Sequence, residues 1–154
     1  MVAALVAVNA VGDIVDPANG RVVAGVRTTD GKGLADARLL VRSGALGRPS
    51  PPATPKPGEN TTIGIVATNA VLTKVEATKM AQMAHDGFAR AISPVHTPGD
   101  GDTIFALATG TLAGEANAGL VGALAAEAMA DAIVRAAMQA TGLPGIPAAR
   151  DLQK

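Results

Sequence analysis

Residues 60–74 read NTTIGIVATNAVLTK. Ile63, Ile65, Val66 and Ala67 make a short apolar run rich in β-branched residues, which predicts a buried strand. Thr73 and Glu76 follow with capping-box spacing and open a helix. On that helix Met80, Ala84, Phe88, Ala91 and Ile92 form one apolar stripe, Lys79, Gln82, Asp86 and Arg90 form the opposite face, and Pro94 ends it. A strand feeding a capped helix is the repeating unit of a layered α/β domain, and that fold class is expected here.

Downstream, residues 103–109 repeat the strand pattern and stop at Gly110. A long helix is expected over residues 118–141, with Asn117 as its cap and Gly142 and Pro144 as its stop. Its polar residues Glu127, Asp131, Arg135 and Gln139 recur every fourth position, so one narrow stripe faces water and the Ala/Gly-rich remainder packs closely.

Upstream, residues 3–8 are continuously apolar, as in a strand covered on both faces. Asp16, Pro17, Asn19 and Gly20 supply a turn and residues 22–26 a second strand, which together read as a hairpin. Residues 28–60 read as a linker in which Pro49, Pro51, Pro52, Pro55 and Pro57 exclude helix and ladder, while Leu39, Leu40 and Val41 dock locally. The expected organisation is a strand hairpin over residues 1–27, a proline-rich linker over 28–60 and a catalytic part over 61–154.

Charge and composition exclude several function classes. Thirteen basic residues balance thirteen acidic ones without a basic cluster, so nucleic acid is not an expected partner. The absence of cysteine rules out disulfides and thiolate metal sites and fits a reducing, cytoplasmic setting. No basic residue precedes the apolar start, and Glu127, Asp131 and Arg135 interrupt the last helix, so neither a signal peptide nor a membrane span is read. With only two aromatics, Phe88 and Phe105, the core must be built from Ala, Val, Leu, Ile and Met.

Chemistry concentrates at few places. Thr61 lies where the linker ends and the strand begins, a position where a chain can be cut without unravelling its core. An N-terminal Thr carries its own base, because its α-amine, with a pKa of about 7.7–8.0, can take the hydroxyl proton near neutral pH. Read alone, Asn60-Thr61-Thr62 also describes a simple turn into a strand and fits a glycosylation sequon. Asp100 and Asp102 flank Gly101 in a loop, where they could hold an ammonium group or form a plain solvated turn. Asn9, at the end of the first strand, suits an oxyanion donor or a turn residue. His85 and His96 read as structural, His96 as peripheral to the chemistry, and no residues have metal-ligand or phosphate-loop spacing, so no cofactor is expected.

The order of these signals resembles one family. NTTIGIVATNAVLTK, MAHDGFARAI at 83–92, HTPGDGDTIFALATG at 96–110 and LVAVNAVGDIVDP at 5–17 are similar to the blocks of the L-aminopeptidase/D-esterase family, which includes β-peptidyl aminopeptidases and 6-aminohexanoate-oligomer hydrolases. The resemblance implies an αββα sandwich, shared with ornithine acetyltransferase, and a precursor that cuts itself between Asn60 and Thr61. It implies Thr61 as the nucleophile, Asn9 on the oxyanion side, and Asp100 with Asp102 as the acidic pair of the oligomer-hydrolase branch, where other branches carry Ser and Glu. The substrate would be a peptide or small amide, hydrolysed without metal or organic cofactor.

Family members begin with a long N-terminal region that is absent here, so the chain is expected to be a partial domain. Its partner would be that region or a companion chain, and exposed apolar edges would favour a homo-oligomer. Acyl transfer of the ornithine acetyltransferase type is a rival reading, although the His-Pro-Asn-Met-Ala-Thr context is missing. A catalytically silent assembly domain is another.

Overall fold

The computed structural model describes residues 1–45 and 60–152, so the five linker prolines lie outside the described residues. The mixed α/β class expected from the sequence is what is found. The main sheet has the order β1-β4-β6, from β1 (Val2–Ala7), β4 (Ile63–Thr68) and β6 (Thr103–Ala108). β1 runs antiparallel to β4, pairing Val2 with Thr68 and Ala7 with Ile63. β4 and β6 are parallel, Ile63 opposite Thr103. A parallel pair needs a long crossover, and α2 (Lys74–Ala91) supplies it.

Helix α2 starts at the capping box read from the sequence: the Thr73 hydroxyl accepts the Glu76 N–H and the Glu76 carboxylate accepts the Thr73 N–H. It packs against α3 (Ala118–Gln139), whose N-cap is Asn117. Phe88, Met80, Met129, Ile133 and Val66 are the largest fully buried apolar side chains and bring the two helices and the sheet into one core. Each such burial stabilises by about 1.5–3 kcal/mol before entropy is counted. With few aromatics, closeness replaces bulk: a Cβ added at Gly87 would lie 2.8 Å from the Met129 Cβ. Glu127, Asp131, Arg135 and Gln139 form the wet stripe of α3.

Three expectations are corrected. The hairpin is real, but its strands are β2 (Asp13–Val15) and β3 (Val22–Ala24), with β5 (Ile92–Ser93) on the other side of β2. The first apolar run instead leaves the hairpin and pairs with β4, because only there do Val2, Ala4 and Val6 meet the core. Second, that run is covered on one face only, and Leu5 is 72% exposed. The outward faces of β4 and β6 are equally bare, with Ile63, Ile65, Phe105 and Leu107 exposed. A continuous apolar run does not say which neighbours are present to cover it.

Third, part of the linker is ordered. Leu39, Leu40 and Val41 belong to α1 (Ala37–Arg42), whose first N–H groups are taken by carboxylates. Asp36 accepts the Arg38 N–H at 3.0 Å, and the fully buried Asp13 accepts the Ala37 N–H at 2.5 Å and the Val26 N–H at 2.8 Å. Asp13 thus ties the small sheet to α1, since a buried carboxylate is tolerated only with such partners. The chain closes with α4 (Ala149–Leu152), and among the described residues no helix is long and apolar enough to cross a membrane.

Candidate active site

The Asn60–Thr61 peptide sits in the middle of a three-strand ladder at one end of the main sheet. Its N–H donates to the Asn9 main-chain carbonyl at 2.9 Å, just past β1, and its C=O accepts the Gly101 N–H at 2.9 Å, just before β6. The topology makes this so: β4 is central, so the residues entering it are flanked by the end of β1 and the start of β6. Asn60 and Asp100 form the corresponding bridge.

Gly101 also lies against the nucleophile candidate. A Cβ built on it would fall 2.6 Å from Thr61 Oγ1, so only glycine leaves that hydroxyl its place. Thr62, by contrast, is fully buried, and its hydroxyl has no partner among the described residues.

The acidic residues come to the same end of the sheet but not as a shared pair. Asp100 turns back on its own loop, accepting the Thr97 N–H at 2.7 Å. Asp102, with a side chain only 4% exposed, accepts the Thr62 N–H at 2.9 Å through Oδ1. Its Oδ2 lies 3.1 Å from His96 Nδ1. Among the described residues that buried oxygen has no hydrogen-bond partner: His96 Nδ1 comes close without hydrogen-bond alignment.

His96 is therefore not peripheral, as its sequence context suggested: it touches Asp102. Its ring stacks with Phe88, centroids 6.0 Å apart, and lies 4.9 Å from that of His85. Burial, and then the neighbouring His96, hold the His85 pKa below its ordinary 6.5.

Thr61, Asn60, Asn9, Asp100 and Asp102 are thus brought together. In the continuous chain, however, the Thr61 nitrogen is held by the Asn9 carbonyl and by neither carboxylate. Sequence reasoning missed Gly101 as a main-chain donor. Its only signal was glycine between two acids, which reads equally as a turn. The groove between β1 and α3, lined by Leu5, Val6, Asp131 and Arg135 among others, does not reach Thr61.

Comparison with known proteins identifies the family. The profile of peptidase family S58 matches residues 1–150. An uncharacterized aminopeptidase of Mycobacterium tuberculosis is 39% identical, over 98% of this chain and 47% of its own length. One from Mycobacterium leprae is 38% identical, over 95% and 42%. A 6-aminohexanoate-oligomer endohydrolase of Kocuria sp. is 36% identical, over 87% and 40%. The chain spans about half the length of the curated relatives it matches. With the family profile covering almost the whole sequence, including the ladder that holds Thr61, the chain belongs to peptidase family S58.

Proposed function

We propose that this chain is the catalytic part of a self-processing amide hydrolase in which Thr61, freed by cleavage after Asn60, is the N-terminal nucleophile. The observation that carries the reading is the two-sided clamp on the Asn60–Thr61 peptide, with the Thr61 hydroxyl beside Gly101.

In self-processing, Thr61 Oγ1 attacks the Asn60 carbonyl carbon and the hydroxyl proton passes to the departing Thr61 nitrogen. The C–N bond breaks and an ester joins Asn60 to the Thr61 oxygen. Water then hydrolyses the ester, leaving a carboxylate on Asn60 and a free α-amine and hydroxyl on Thr61. The Gly101 N–H is aligned with the oxygen that gains charge, and one such donor stabilises a transition state by about 2.7–4 kcal/mol.

In the mature site the amine is the base for its own hydroxyl. The Asn9 carbonyl, which already holds that nitrogen, orients the amine, and Asp102 fixes the strand through Thr62 N–H. Asn9 serves the oxyanion side, and Asp100 braces the loop that carries Gly101. Substrate amides, in peptides or in linear oligomers as the names of the relatives suggest, acylate Thr61 and are released by water.

The bare face of the main sheet supports an αββα sandwich, completed by an amino-terminal region or companion chain that also forms the second wall of the substrate cleft. The same face favours a second reading, a silent assembly module, and supports assembly into a homo-oligomer. Intact-mass analysis of the protein joined to a family-type amino-terminal half separates the two. A fragment beginning at Thr61, lost in Thr61→Ala, is expected; a fully active enzyme with that bond unbroken would remove the self-processing reading.

A further inference from the structure

We propose that His96 is a positioning residue for the Thr61 site, its Nδ1–H donating to Asp102 Oδ2 and thereby closing the loop that presents Gly101 to the Asn60 carbonyl. The inference rests on the reading of Thr61 as nucleophile.

The loop from His96 to Asp102 is joined at its ends by the 3.1 Å contact between the two side chains. Inside it, the Asp100 N–H donates to the Thr97 carbonyl at 2.9 Å and the Thr97 N–H to the Asp100 carboxylate at 2.7 Å. Gly101 is thus carried by a closed, doubly braced unit. Asp102 is the hinge point between that unit and the nucleophile strand, because Oδ1 is committed to the Thr62 N–H at 2.9 Å. A carboxylate held at one oxygen can still swing about that bond. Oδ2 is buried and has no hydrogen-bond partner among the described residues, a costly state, and His96 Nδ1 is 3.1 Å away; a small turn of the imidazole brings its N–H onto that oxygen, removes the freedom and satisfies the acceptor.

Two further features of His96 bear on this geometry. His96 has φ 54°, a left-handed conformation that costs a non-glycine residue energy and persists where the surroundings demand it. Its ring packs against those of His85 and Phe88 on α2, which restrains the imidazole before any substrate arrives. With its N–H turned onto Oδ2 the neutral ring is the Nδ1–H tautomer, leaving Nε2 to accept.

Three substitutions separate positioning from bulk structure. Asn places an amide N–H close to the Nδ1 site and tolerates positive φ; Gln places it near the Nε2 site; Ala removes it. In the full-length protein, His96→Ala and His96→Gln are expected to slow both appearance of the Thr61 terminus and kcat by about tenfold or more. KM should stay within about twofold, and His96→Asn should remain within about threefold of wild type. Histidine nitrogen NMR should find the neutral His96 ring as the Nδ1–H tautomer, reverting to Nε2–H in Asp102→Ala. An Nε2–H tautomer in the wild type, or equal rates for the Asn and Gln variants, would overturn the proposal. If the wild type never cuts at Thr61, the nucleophile reading fails, while the tautomer still decides whether the His96 to Asp102 clasp exists.

Discussion

Gly101 and Thr61 are in contact so close that a single added carbon at Gly101 would lie 2.6 Å from the Thr61 hydroxyl oxygen. The Gly101 backbone is not in the left-handed region, so Ala is sterically allowed there apart from this neighbour. Gly101→Ala should therefore leave the thermal midpoint nearly unchanged while displacing the nucleophile. A drop of about a hundredfold in self-cleavage is expected from a misplacement near 1 Å. A mass-spectrometric time course beside a melting curve checks it, and wild-type cutting in Gly101→Ala would contradict the geometry.

Thr61 and Thr62 are neighbours with opposite surroundings, one beside the ladder's mouth and one fully buried. Thr61→Ala should abolish cutting and hydrolysis together. Thr62→Ala should still cut: it loses a buried methyl group and a hydroxyl that has no partner among the described residues. Intact masses of both variants decide this. A block at Thr62 equal to that at Thr61 would shift the nucleophile assignment.

The α2–α3 contact sets a stability prediction. In Gly87→Ala the new Cβ would be 2.5 Å from the Ala126 carbonyl oxygen, a backbone atom that cannot rotate away. Ala gains about 1 kcal/mol of helix propensity, but overpacking costs about 1–3 kcal/mol. Urea unfolding should show a net loss rather than the gain expected at an exposed helical glycine.

His85 predicts a pH dependence. Burial is the main cause of its lowered pKa, with His96 adding to it and Asp102 and Asp86 opposing. A histidine depressed in the folded state is protonated first in the unfolded chain. Stability is thus intact above the unfolded value of 6.5 and is lost as pH falls through it toward the folded value. Between about pH 7 and about pH 5 the melting temperature should fall less in His85→Gln than in wild type. Parallel slopes would show that His85 is not the group responsible.

The bare sheet face predicts association. Leu5 and Phe105 are 72% and 59% exposed on the same side of a sheet whose β1 is an edge strand. Contiguous apolar surface of this kind drives assembly. Light scattering on these 154 residues alone should find oligomers or aggregates, and Leu5→Glu with Phe105→Glu should lower the mass. A clean wild-type monomer would contradict it.

Local signals were legible in the sequence because their physics is local. The capping box at Thr73, the stripe through Met80, Ala84 and Phe88, the Asn117 cap and the Asp16 to Gly20 turn each depend on residues a few positions apart. The placement of Thr61 at the head of a strand, and of Asp100 and Asp102 just before another, was readable for the same reason. Tertiary structure decided the pairings. Whether the first apolar run joins the hairpin or β4 depends on which neighbour offers its alternate residues a core, and a continuous run of Ala, Val and Leu carries no register of its own. Tertiary structure alone also brought Gly101 to the Asn60 carbonyl and His96 to Asp102. The first contact follows from the parallel pairing of β4 with β6 across α2, a long-range closure to which no local spacing points; the second lies within one loop whose left-handed turn at His96 the residue type does not announce.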